Sequence, residues 1–152
     1  MKIAATAMLI CGALLAGCAH VPQIDWNTDA KSVLGQGKWG KIDGAPIGPA
    51  VPKAQLCQGE TIAFVFHDDE IEMQVWRPRK TKKRTPRIVA SETFGDMRVK
   101  KTAKALDVLD IRFFTDATAE TPELTLQYDP ATELLFRPAA ADKTDQFWTP
   151  CA

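Results

Sequence analysis

Beyond residue 60 the chain alternates between hydrophobic and polar positions. Ile62, Phe64 and Phe66 are interleaved with Thr61, Ala63 and Val65, and Ile71, Met73 and Val75 with Glu72, Gln74 and Trp76. A period of two sends successive side chains to opposite faces of a strand, so these two runs, joined by His67-Asp68-Asp69-Glu70, predict a β-hairpin. Similar runs recur at Arg87–Thr93, Met97–Lys101, Val108–Phe114, Leu124–Tyr128 and Glu133–Arg137. Asp129-Pro130-Ala131-Thr132 suits a type I turn, because proline presets φ at its second position. With Trp39 and the closing Gln146–Thr149 the pattern predicts about eight antiparallel strands. No window holds a 3.6-residue period over three turns, although Lys100–Asp110 has room for a short helix. The expected class is therefore all-β: a small up-and-down barrel, with a β-sandwich as the alternative.

The N-terminal part reads differently. Lys2 precedes an uncharged apolar run, Ile3–Leu15, followed by small residues, the pattern of a secretory signal. At about 1.5 Å per residue the run reaches roughly 20 Å, short of a hydrocarbon core of about 30 Å, so it does not read as a membrane span. Leu15-Ala16-Gly17-Cys18 resembles the lipobox of bacterial lipoproteins. That resemblance implies cleavage before Cys18 and lipidation of its thiol, and three acyl chains exceed the two that stable anchoring needs. Ala19, standing where such proteins carry aspartate when retained in the inner membrane, implies the outer membrane. The expected organisation is a signal peptide over 1–17, a lipid-anchored tether over 18–36 and a β domain over 37–152. Between Asp43 and Gly59 the chain holds Pro46, Pro49, Pro52, Gly44 and Gly48, which predicts a long irregular connection containing neither helix nor central strand.

Cleavage removes Cys11 and lipidation consumes Cys18, leaving Cys57 and Cys151 in an oxidising compartment. A bridge between them closes a loop of 95 residues. In the chain-entropy description that closure contributes about 4 kcal/mol. A zinc site is not expected, since two cysteines without a nearby histidine do not supply four ligands.

Gly37-Lys38-Trp39 on the first strand looks like the Gly-x-Trp of lipocalins, with the Pro/Gly-rich loop where their lid loop lies. Thr115-Asp116 and Arg137 fall in the order of their other two motif regions. The resemblance covers residues 37 to 151 and implies a calycin-like barrel; it implies no particular ligand.

Composition narrows the function. The chain has 152 residues, enough for one domain, with 45% hydrophobic residues, enough for a core. Its net charge of zero hides a strong asymmetry. Residues 77–104 carry +9, residues 18–76 carry −4 and residues 105–152 carry −6. The densest cluster is Arg77, Arg79, Lys80, Lys82, Lys83, Arg84 and Arg87, interrupted by Pro78 and Pro86, and it predicts an exposed basic loop. Such density attracts lipopolysaccharide phosphates, anionic lipid headgroups or an acidic envelope protein. Nucleic acid is disfavoured by the compartment and by the overall balance.

Catalytic groups are scarce. The two histidines are His20 and His67, and no Gly-x-Ser-x-Gly or His-Glu-x-x-His occurs around Ser32, Ser91 or elsewhere. His67-Asp68-Asp69-Glu70 offers cation ligands but reads better as a turn, and Thr115-Asp116 has no nameable acid–base partner. Trp39, Trp76 and Trp148 read as core or rim aromatics. The expected protein is no enzyme and needs no cofactor. It is a lipid-anchored binding module for an apolar or anionic envelope ligand. The alternative is a protein-interaction lipoprotein, either an enzyme inhibitor or an accessory subunit of an envelope assembly.

Overall fold

A computed structural model describes residues 26–42, 52–79, 85–102, 107–139 and 144–151. The signal segment, Cys18 and positions 80–84 of the basic cluster lie outside the described residues. Nine strands form one sheet: β1 (Lys38–Ile42), β2 (Thr61–Phe66), β3 (Ile71–Arg77), β4 (Arg87–Phe94), β5 (Asp96–Lys101), β6 (Leu109–Phe114), β7 (Leu124–Asp129), β8 (Leu134–Arg137) and β9 (Gln146–Pro150). Each falls on a segment where the alternation predicts one. Apart from the β1–β9 pair, hydrogen-bonded neighbours are consecutive in the chain, giving the order β4-β3-β2-β1-β9-β8-β7-β6-β5. This is the up-and-down barrel, nearly closed, rather than the sandwich.

The nine strands are the nine alternating segments of the sequence, loosely counted as about eight, and two of them are nearly continuous. Eight antiparallel pairings separate β4 from β5, so the two run in the same direction, and only Gly95 lies between them. They are the two halves of one bent strand that leaves β3 on one side and joins β6 on the other. At the bend the Gly95 N–H donates to the Phe114 and Thr115 carbonyls, both at 3.0 Å. A Cβ at this position would collide with the Thr115 carbonyl oxygen, which is why the corner needs glycine.

Alternation decides what fills the barrel. Ile62 and Phe64 of β2, Met73 of β3, Ile111 and Phe113 of β6, Leu124 and Leu126 of β7 and Leu135 of β8 are all buried. Phe113 stacks on Phe64 at 5.6 Å and meets Phe94 at 5.0 Å, while Trp39 meets Tyr128 edge-on at 5.9 Å. Aromatic pairs at these separations add to the area they remove from water.

Two short helices depart from the sequence expectation. The tether was expected to continue to residue 36, yet α1 (Trp26–Leu34) is helical and buries Ala30 and Leu34 completely. Trp26, Ala30, Val33 and Leu34 stand at i, i+4, i+7 and i+8, a helical stripe too short to register over three turns. The helix packs against β5 and β2, and the Leu34 carbonyl accepts the Trp39 indole N–H at 3.3 Å. The domain therefore begins at or before Trp26 rather than near Trp39. The Pro-rich connection also holds one helical turn, α2 (Lys53–Leu56), with Pro52 as N-cap, where the missing N–H costs nothing. Conversely, β5 reaches Lys101 and β6 starts at Leu109, so strands occupy the ends of the segment considered for a helix.

Cys57, after α2, is bonded to Cys151, after β9, with Cα atoms 5.6 Å apart. The bridge ties the irregular connection to the end of the sheet and packs on Gly40, where an added Cβ would meet the Cys57 sulfur at 3.1 Å.

Candidate functional site at the open end of the barrel

The alternating strand directions give the barrel two distinct ends. The turns β2–β3, β5–β6 and β7–β8, together with α1, lie at one end. The connections β1–β2, β3–β4, β6–β7 and β8–β9 lie at the other. Helix α1 covers the first end. The second holds a recess of about 250 Å³. Its floor is apolar: Ile62, Met73, Val75, Leu124, Leu126 and Trp148. Its polar lining is Glu60, Arg77, Glu92, Arg137 and Gln146. An adjoining groove of about 370 Å³ shares Leu124, Arg137 and Gln146.

A bulge shapes one wall. Val75 of β3 pairs with Ala90 of β4, but Trp76 pairs with Ile88, so Val89 is an extra residue. A bulge turns two consecutive side chains toward one face, and Val89 and Ala90 both line the recess. Met73, Val75 and Arg77 share the inner face of β3. Their partners Glu92, Ala90 and Arg87 therefore share the inner face of β4.

The charges lining the recess are unequally compensated. Glu60 accepts from Arg77 at 2.6 Å and from Lys41 at 3.4 Å. Partial burial pushes its carboxyl up, but hydrogen bonds and charge from Arg77 and Lys41 outweigh that and hold it below its ordinary value. By contrast, Arg137 and Glu92 form no ion pair with a described residue. Trp148 is 5% exposed, and its indole N–H has no acceptor among the described residues. A buried donor left unpaired costs about 1–3 kcal/mol, a penalty that a ligand acceptor within reach would remove.

The sequence-derived candidates fall in different places. Arg77 lines the recess and Arg87 faces it across the β3–β4 pair, with Arg79 just beyond β3. Arg77 is committed to Glu60, so the basic cluster is not uniformly free. Lys80, Lys82, Lys83 and Arg84 lie outside the described residues. The Cys57–Cys151 bridge is present. The lipocalin-like positions are not gathered: Trp39 pairs with Pro150 at one end of β9, whereas Arg137 pairs with Gln146 at the other. His67-Asp68-Asp69-Glu70 forms the β2–β3 turn, closed by the His67 N–H donating to the Glu70 carbonyl at 2.8 Å. Asp116 accepts from the Thr118 hydroxyl at 2.6 Å and from the Thr118 and Ala119 amides, so its carboxylate organises its own turn. The Thr118 bonds hold its pKa below the ordinary value.

Sequence reasoning did not single out Glu60, Glu92 or Gln146, and met Arg137 only through a family resemblance. No local pattern marks them, because the barrel's stagger brings them to one recess from four different strands or their edges. Comparison with known protein families, curated proteins and solved structures finds no match.

Proposed function

We propose that this chain is a lipid-anchored envelope protein that binds an amphiphile at the open end of its barrel. Apolar chain packs on Met73, Leu124 and Leu126, and a polar or anionic head meets Arg137 and the Trp148 N–H. The observation that carries this reading is the buried Trp148 donor, without an acceptor among the described residues, in the wall of an apolar recess that also holds Arg137, an arginine without an ion-pair partner among them. The lipobox supports anchoring at Cys18, and Ala19 supports the outer membrane. Cys18 precedes Trp26 by eight residues, a reach of at most about 28 Å. Since α1 covers the closed end, this short connection favours an open end turned away from the anchoring lipid.

The recess is shallow, because the Phe64, Phe94 and Phe113 rings fill the barrel below it. That solid core favours the second reading, contact with another protein. Calorimetric titration of residues 19–152, which include every described element, with dodecyl phosphate and dodecanol distinguishes the two. The amphiphile reading expects saturable binding, weakened at least fivefold by Arg137→Gln for the phosphate alone and by Trp148→Phe for both. No binding of either probe overturns it. Anchoring is checked separately: Cys18→Ser should abolish acyl incorporation and release the protein from the membrane fraction.

A further inference from the structure

The sheet has two ends in its strand order, and they are treated differently. Beside β5 lies α1, packed against it with the Lys101 ammonium 4.8 Å from the Trp26 ring. Strand β4 pairs with β3 alone, and no described element takes its other edge. Arg87 to Thr93 are all exposed, and Ile88 and Val89, at 44% and 38%, are the large hydrophobic residues left exposed among the described ones. A long edge strand with free backbone donors and acceptors, no proline and no lysine is a template for another strand.

The charges on β4 indicate which strand fits. Arg87 lies at its start and Glu92 near its end, and the bulge places both on the same face. A copy running antiparallel brings each Arg87 alongside the other copy's Glu92, giving two opposite-charge contacts. A copy running parallel in register sets like charges side by side. Ala90 lies between them, small enough to meet its own counterpart on a two-fold axis. We infer that two copies of this chain associate through β4, antiparallel about an axis near Ala90, so that one sheet continues into the next. The open recesses then flank the shared edge, since Val89, Ala90 and Glu92 line them. The inference rests on the sheet edge and not on the amphiphile reading.

A two-fold axis at residue 90 makes that position its own neighbour. With Cys57 and Cys151 already bridged, Ala90→Cys in the full-length chain, oxidised with copper phenanthroline in isolated envelopes, should form a reducible species of twice the mass. Thr125→Cys on β7 should not. In the Ala90→Cys background, Arg87→Glu should lower the cross-linked yield at least fivefold, and adding Glu92→Arg should restore it. Arg87, Ala90 and Glu92 are exposed and Thr125 is half-buried, and an unchanged unfolding midpoint confirms that the variants fold. The inference is overturned if no cross-link forms, if both cysteine variants cross-link equally, or if the charge changes leave the yield unaltered.

Discussion

The two ends of the barrel are built from the same strands but treated oppositely by the fold. At the closed end Trp39, Tyr128, Ala30 and Leu34 are buried, and α1 covers the opening. At the open end the inner face of β4 is exposed, the recess is lined by four ionised groups, and an indole N–H has no acceptor among the described residues. The difference is instructive because alternation alone makes no distinction between the halves. Both read as apolar-in strands. What separates them is whether something caps the barrel. Stability is concentrated where packing is complete, and the uncompensated polar groups collect where it is not.

The sharpest way to break this comparison is to empty the core. Phe113 lies between Phe64 and Phe94 and is fully buried, so Phe113→Ala should cost about 3–5 kcal/mol in urea unfolding. A loss below 1 kcal/mol would mean that the barrel interior is not packed as described. The bridge comes next. Cys151→Ala should cost about 2–4 kcal/mol, because it frees a loop closed across a sequence separation of 94 residues. Non-reducing peptide maps of the parent should show the linked pair.

At the open end effects should be small and dependent on pH. The Glu60 pKa is lowered on folding from its ordinary value of 4.5, so its stabilising contribution is present above that pH and disappears as pH falls through the lower folded value. Glu60→Gln should therefore cost less than about 1 kcal/mol at pH 7, because the group is partly solvated and its pairs are screened. Parent and variant stabilities should converge in acid. A difference that widened below pH 4 would reverse the assigned sign.

Much of the architecture was readable because local periodicity records it. Ile62, Phe64, Met73, Ile111, Leu124 and Leu126 alternate in sequence and are buried in the fold. The hairpin at His67–Glu70 and the turn after Asp129 follow from turn chemistry, the latter with the Asp129 carboxylate accepting the Ala131 amide at 3.0 Å. Helix α1 was missed because two and a half turns give a weak periodic signal, and its burial comes from the barrel end it covers rather than from its own composition.

By itself, then, the sequence determined the strands, their inward faces and the class of fold, since each depends on nearby residues, and it offered the pairing of Cys57 with Cys151 as an expectation, which the structure shows formed. Only the tertiary structure decided that β4 and β5 are one strand bent at Gly95 and that α1 covers one end. It also decided that Glu60, Arg77, Glu92, Arg137 and Trp148 meet at the other. Those outcomes depend on the stagger and closure of the whole sheet, where residues from distant strands become neighbours through pairings that no local pattern encodes.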